Sequence, residues 1–465
     1  MQIDLSKPAH IYFIGIGGIS MSGLAHILID RGFTVSGSDR APSEQTRVLE
    51  DLKATVYIGQ REENLASAKE AKGDIYAAVY TAAVKEDNPE YAFCVKEGIP
   101  LLSRAELLGQ LMKEYKESVA VAGTHGKTTT TSMLSQILLQ AGTDPTLSIG
   151  GVFPPINGNI RVGHSSTFVT EACEYTNSFL SFYPTIGIVL DIDEDHLDFF
   201  KDLADIRRSF RKFCALLPAD GTLVINGDIE DVSYFTDGLS CRVITYGGSE
   251  NCDYYPTDIT FDAKGNPSYT LHYGEGKTLA VTLNVPGMHN VFNSVAAAIA
   301  AHLLQVSDEE IVSGLRAFAG TNRRFEYKGS LHGITVIDDY AHHPTEIRAT
   351  LTAAKNYPHK KIYTVFQPHT YTRTKALFDE FAKALSLSDV VILAKIYAAR
   401  ETDTLGVSSK TLCEKMVADG CDAHYFPTFE EIEKFLLKNC TKDDLLITMG
   451  AGDVVKIGES LLHGG

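Results

Sequence analysis

Ser118-Val-Ala-Val-Ala-Gly-Thr-His-Gly-Lys-Thr-Thr-Thr-Thr131 is an apolar run, a turn holding two glycines, and a lysine that opens a run of threonines. The pattern predicts a buried strand, a tight turn and a helix from about Thr128 to Gln140. Such a turn aims backbone N–H groups and a helix N-terminus at one point, which suits a polyphosphate. Lys127 adds a mobile cation, and the Thr128 hydroxyl is a ligand for Mg²⁺. Gly126-Lys127-Thr128 fits the phosphate-loop pattern. The first glycine of that pattern should stand at position 121, where the chain has Val121; Gly123 comes two places later. The competing reading is an ordinary strand-to-helix turn capped by threonine.

The 465 residues exceed one hydrophobic core and point to about three domains. No apolar run reaches the roughly 18 residues of a membrane span, and the N-terminus has no signal-peptide pattern. We therefore expect a cytoplasmic protein without membrane insertion. Eight cysteines without a CxxC pair fit reduced thiols rather than a disulfide frame or zinc site. A formal charge of −17 argues against nucleic-acid binding. Any anionic substrate must then be met by local cations and helix ends.

Upstream, an apolar strand over 9–14 runs into Gly15-Ile-Gly17-Gly18-Ile-Ser20, a helix, and a second strand ending at Asp39. This is a βαβ opening with a dinucleotide-type glycine loop, and Asp39 stands where a ribose-binding acid is expected. Ser20 replaces the third glycine, so the loop indicates a diphosphate without naming the nucleotide. Glycines required only for helix–strand packing would give the same pattern.

Downstream, a strand ends at Glu171, a natural second holder for Mg²⁺, although most strand-end glutamates are simply solvated. Residues 150–159, with Asn159, read as a polar loop. The strand over 185–190 empties into Asp191, Asp193, Glu194, Asp195 and Asp198, with His196 among them. An acidic turn with a helix cap explains the carboxylates; the histidine fits a metal or phosphoryl contact. Asn290 and Asn293 share one face of an alanine-rich helix, where they can read an adenine edge or cap the helix. Beyond Gly320, strands ending in polar clusters at 338–346 and 367–374 repeat one plan, and ligands of open α/β sheets bind at that edge. The fold class is α/β in three domains: a Rossmann-like unit over 1–107, a central P-loop-type ATPase unit over 108–320, and a Rossmann-like unit over 321–465.

In this order, GTHGKTTT (123–130), Glu171, the acidic run with His196, HNxxN (289–293), Arg324 and the Asp339 cluster resemble the Mur ligases, ATP-dependent amide-forming enzymes of peptidoglycan synthesis. The resemblance covers essentially the whole chain. Within the family, GIGGISMSG (15–23), RRFE (323–326), DDYAHHPTE (338–346) and QPHTYTRT (367–374) resemble the members that join L-alanine to UDP-N-acetylmuramate.

The resemblance implies ATP and Mg²⁺ as cofactors, with phosphorylation of a carboxylate followed by attack of an amine. It implies ATP contacts from Gly123, Thr124, Gly126, Lys127, Thr128, Thr129, Asn290, Asn293, Arg324 and Asp339. Thr128, Glu171 and His196 would hold metal. Gly15, Gly17, Gly18, Ser20, Asp39, His125 and Asn159 would bind the UDP-sugar. Tyr340, His342 and Arg373 would line the amino-acid site, and Lys127, His196, Arg324 and Arg373 would carry catalysis. A monomer or weak homodimer is expected. Two positions depart from many relatives: Cys173 replaces an aspartate and Thr370 an arginine. Lys212 is not given the role of the modified metal-bridging lysine that several relatives carry. The alternatives are a ligase of the same family that recycles muropeptides, and a nicotinamide-dependent oxidoreductase built on residues 9–39. The second leaves the 123–130 loop and the last domain without purpose.

Overall fold

A computed structural model describes residues 2–81, 83–399, 401–403 and 405–463. Three sheets organise the chain. The first has five parallel strands in the spatial order Thr55–Ile58, Thr34–Asp39, His10–Ile14, Ala77–Tyr80 and Leu101–Ser103. His10–Ile14 is buried along its whole length, as a central strand covered on both faces must be. Order reverses beside this strand, and the glycine loop leaves its C-terminal end, where open α/β sheets bind ligands.

The central sheet has ten strands. Glu117–Ala122 lies inside it, paired in parallel with Thr167–Glu171 on one side and Ile186–Val189 on the other. The helices Lys127–Gln140 and Met288–Leu303 pack over one face of this sheet in a single aliphatic core. Small residues on the second helix, from Ala296 to Ala301, let the two approach closely. The segment read as a polar loop is a hairpin instead. Thr146–Phe153 and Gly158–Arg161 pair antiparallel around a turn at Pro154–Ile156. Its paired glycines and prolines hide the strand signal, whereas buried Leu147, Ile149 and Phe153 supply the apolar alternation that holds it on the sheet.

The third sheet has six strands, with Glu326–Leu331 antiparallel at one edge and the others parallel. Position 107 falls inside the helix Arg104–Met112, which Ser103 starts with a capping box to Glu106. Position 320 falls in the connection between the helix Asp308–Ala317 and the third sheet. No helix among the described residues is long and apolar enough to cross a membrane.

Under the first sheet lies a buried carboxylate, Glu90. It accepts hydrogen bonds from the Tyr12 hydroxyl (2.9 Å), the Asn64 amide (2.8 Å) and the Ser38 hydroxyl. Replacing it leaves buried donors without an acceptor, at about 1–3 kcal/mol each. Glu90→Leu is therefore expected to lower the urea midpoint strongly with an unchanged slope. A stability loss below about 0.5 kcal/mol, the range of neutral surface changes, would contradict this account.

Candidate active site

The strand Glu117–Ala122 ends one residue before Gly123, so the phosphate loop starts two positions later than the standard pattern. Gly123 and Gly126 have φ values of +149° and +79°, which disfavour side chains. A Cβ on Gly126 would also lie 2.6 Å from Asn293 Oδ1, so the loop backbone rests directly on the helix that carries Asn293.

Lys127 turns back across the loop. Its ammonium donates to the Thr124 carbonyl (3.1 Å), the Gly123 carbonyl and Glu174 Oε2 (3.0 Å). Burial opposes this charge, but the Glu174 carboxylate outweighs it and raises the lysine pKa. His196 Nε2 stands 3.6 Å from the other oxygen of Glu174 and its ring lies against Tyr175. Glu174 thus gathers Lys127 and His196, a role that no motif indicated.

Thr128 Oγ1 donates to Glu171 Oε2 (3.1 Å), and the Gly150 N–H of the hairpin donates to Oε1. Burial pushes the Glu171 pKa up. A half-buried carboxylate beside a hydroxyl, at the mouth of a phosphate loop, is a hard oxygen set that fits Mg²⁺. His196 contacts Glu174 rather than this pair.

Cys173 lies between the charges of Lys127 and Arg104, with its thiol pushed up to about 11 by burial, and hence neutral. Arg104, partly buried, carries no ion pair among the described residues, and sequence reasoning passed over it. Its signal was available: an arginine at a helix start in the strand-end position of a Rossmann-like unit.

A cavity of about 260 Å³ opens at the N-terminus of the helix Lys127–Gln140. Thr128, Thr129, Asn290, Asn293, Arg324 and Asp339 line it together, although they come from two different sheets. Tyr246, Phe292 and Phe318 also line it, adding apolar surface to the amide groups. Asn290 donates to the Pro286 carbonyl (2.8 Å) and accepts from Asn293 (3.1 Å), so it caps the helix as well as facing the cavity. Arg324 lies over the Tyr340 ring and makes no ion pair among the described residues. Its neighbour Arg323 is instead fixed to Asp338 (2.9 Å) and the Gly450 and Gly452 carbonyls. Asp339 accepts from the Ala341 and Phe325 N–H groups at 2.7 and 2.9 Å, and burial pushes its pKa up to about 6.

A second cavity of about 260 Å³ lies between the acidic run and the 367–374 segment. Arg373 Nε donates to Asp195 Oδ1 (2.9 Å) across it, with His369 Nδ1 3.0 Å from the guanidinium. Burial works against the Asp195 charge, but Arg373 holds its carboxyl well below the usual range. Thr370 has no charge to offer here. The turn it begins is held by Glu401, which accepts the Tyr371 and Thr372 N–H groups at 2.6 and 3.0 Å. His342 sits next to Tyr340 and His369 with ring centroids 5.5 and 5.7 Å away.

The residues expected at the UDP-sugar divide into two places. Gly15 and Ile16 N–H groups donate to the Ser38 carbonyl, and Gly17 N–H donates to Asp39 Oδ2 (2.8 Å), so Asp39 shapes the loop itself. Gly18 caps the helix Ile19–Asp30, whose first turn carries exposed Ser20. Asn159 belongs to the hairpin strand that packs on this helix, where a Cβ on Gly23 would lie 2.1 Å from Ile160. His125 is elsewhere: its ring meets Asp193 and Glu346, both at 3.3 Å, between the second and third sheets. Glu346 also accepts the His342 N–H (3.0 Å) from the first turn of the helix Pro344–Lys355, a contact the sequence did not reveal.

Family models match most of the chain: "Mur ligase family, catalytic domain" over residues 10–116, "Mur ligase middle domain" over 121–301 and "Mur ligase, glutamate ligase domain" over 323–452. The chain is 57% identical to the UDP-N-acetylmuramate–L-alanine ligase of Lachnospira eligens over 462 residues, covering 99% of each chain. It is 55% identical to that of Agathobacter rectalis, again covering 99% of each. Among solved structures, the UDP-N-acetylmuramate–alanine ligase of Thermotoga maritima is similar with a TM-score of 0.80 at 29% identity, covering 98% of each chain. A murein peptide ligase from Psychrobacter arcticus is similar with a TM-score of 0.71 at 25% identity and 98% coverage of each.

Burial of His342 has a measurable consequence, since it pushes the pKa down from 6.5 to about 3. Between those values the unfolded chain binds a proton there that the folded chain does not, so stability is lost as pH falls through the window. His125 works in the opposite sense: burial opposes its protonation, yet Asp191, Asp193 and Glu346 raise its pKa. Comparing the wild type with His342→Gln isolates the first effect. In urea titrations at pH 7 and pH 5, the wild type should lose more stability than the variant, by up to ~1.4 kcal/mol per pH unit. Parallel losses would contradict the assigned burial.

Proposed function

We infer the reaction from one premise: the chain belongs to the Mur ligase family. It is an enzyme that joins L-alanine to the carboxylate of UDP-N-acetylmuramate with consumption of ATP, a step of peptidoglycan precursor synthesis. The observation that carries the chemistry is the placement of a phosphate loop beside two carboxylates, with Arg324 reaching the same cavity from the third sheet.

A carboxylate oxygen is a poor leaving group, so the amide bond requires activation. The γ-phosphoryl of ATP passes to the sugar carboxylate, and the amine of alanine attacks the resulting acyl phosphate and expels phosphate. Phosphoryl transfer needs charge neutralisation and in-line placement more than covalent help. In our reading, Lys127 leaves Glu174 for the β/γ-phosphates, and the N–H groups of Gly123 to Thr129 cradle them. Arg324 meets the phosphate from the opposite wall, while Asn290 and Asn293 hold the adenine edge and Asp339 the ribose side. Thr128 and Glu171 would hold one Mg²⁺, and Glu174 with His196 a second; the ions supply Lewis-acid neutralisation of the phosphates.

We assign the glycine loop at 15–18, Ser20, Asp39 and Asn159 to the UDP-sugar, and Arg104 to its anionic side. His125 bears on the sugar only through the junction it occupies. Tyr340, His342 and Arg373 form the alanine end. Arg373 pairs with the alanine carboxylate, and Tyr340 with the neutral imidazole of His342 lines the same end. The three units divide at about residues 107 and 320, and the protein works in the cytoplasm, where its nucleotide substrates are.

Phosphate release should require ATP, Mg²⁺, the UDP-sugar and L-alanine together; release indifferent to alanine would overturn the reading. Lys127→Ala should cut turnover by at least ~10²-fold, the scale of a lost transition-state donor, with UDP-sugar binding by calorimetry retained. Equal loss of sugar binding would place Lys127 in the wrong subsite.

A further inference from the structure

His125, Asp193 and His343 lie outside the Mg²⁺ sets above, yet they bring three potential ligand atoms within 4.8 Å of one another. Asp193 Oδ2 is 3.3 Å from His125 Nε2 and 3.9 Å from His343 Nδ1. The other nitrogen of each ring is already engaged. His125 Nδ1 faces Glu346 Oε1 at 3.3 Å, and His343 Nε2 faces the Glu194 carbonyl at 3.0 Å. A proton on each of those nitrogens leaves His125 Nε2 and His343 Nδ1 as the ligating atoms, in exchange for the Asp193 contact of the first and the Thr345 N–H contact of the second. Carboxylate–histidine and carbonyl–histidine pairs of this kind orient the ligands of bound metals. The remaining contacts are a Thr345 hydroxyl bond to Asp193 (2.6 Å) and a long Thr345 N–H contact to His343 Nδ1 (3.3 Å).

We propose that His125, Asp193 and His343 form a site for a borderline divalent ion such as Zn²⁺ or Co²⁺, clasping the central sheet to the third. Two imidazoles and a carboxylate favour such ions over Mg²⁺, and three protein ligands with a water complete a tetrahedron. Ligands on Zn²⁺ are ~3.3 Å apart, so the triangle closes by about 0.6 Å between His343 and Asp193 and by no more than about 1.5 Å between the two rings. The Asp193 side chain is 37% exposed while His343 is 4% exposed, which gives the ion a path from solvent to a fixed ligand. A metal ion and a proton compete for the same imidazole nitrogens, so binding weakens as pH falls. Because His125 and Asp193 follow the central-sheet strands Glu117–Ala122 and Ile186–Val189, while His343 caps the helix Pro344–Lys355 of the third unit, the ion restrains the opening of one unit from the other.

The test uses the full chain, with Mg²⁺ in excess and a non-hydrolysable ATP analogue filling the nucleotide site. Co²⁺ is titrated and followed by its visible ligand-field bands, with Zn²⁺ displacing it. The expected result is one Co²⁺ per chain, weakened at least tenfold in both Asp193→Asn and His343→Asn. Asparagine keeps the helix cap at position 343. Thermal unfolding of the wild type alone gives an independent readout: one equivalent of Zn²⁺ should raise its midpoint. Co²⁺ binding equally tight in both variants, or no stoichiometric ion and no midpoint shift in the wild type, would overturn the proposal.

Discussion

A buried ammonium must have a counter-charge, and the pairing of Lys127 with Glu174 sets much of this architecture. The lysine stands at a helix N-terminus, already a positive end, where a second positive charge is unfavourable without an anion. Glu174, only 2% exposed, supplies that anion from the end of the neighbouring strand Thr167–Glu171. The pairing demands that the two strands be adjacent and parallel, since only then do both loops leave from the same sheet edge. Under the proposed function, the oxygens of an incoming nucleotide would take the place of the carboxylate on Lys127.

Around this pair the site is assembled from elements that cannot make it alone. The central sheet contributes the phosphate loop, Glu171 and the acidic run. The third contributes Arg324, Asp339, His342 and Arg373. The cross-links between them are polar: Arg373 to Asp195, Thr345 to Asp193, and His343 to Glu194. Such contacts exchange readily for water or substrate, unlike the aliphatic cores inside each unit, so the junction is where movement is least costly. Arg373 makes the point directly. Its guanidinium, which we propose pairs with the amino-acid carboxylate, is held here by Asp195.

Lys127, Thr128 and Glu171 were readable because their spacing fixes their placement: each follows a strand whose apolar run is unmistakable. Arg324 and Asp339 were readable from the family pattern rather than from any local rule. Glu174, Glu346 and Glu401 were not, because an acid in a loop looks the same whether it faces water or ties down a backbone. The hairpin at 146–161 escaped because its glycines and prolines carry turn signals, while its stability comes from Leu147 and Phe153 packed on distant helices. The resemblance implies a sugar contact for His125, and in the fold its ring also meets partners 68 and 221 residues away in sequence. No local signal encodes that contact.

The central claim is that the sugar carboxylate is itself phosphorylated before the amine attacks. Turnover of UDP-N-acetylmuramate carrying ¹⁸O in that carboxylate tests it most directly, with the released phosphate read by mass spectrometry or by its phosphorus NMR shift. Passage through an acyl phosphate predicts one labelled oxygen in each phosphate formed from doubly labelled substrate. Phosphate without label, with one heavy oxygen lost to water and the other retained in the amide, would contradict the account.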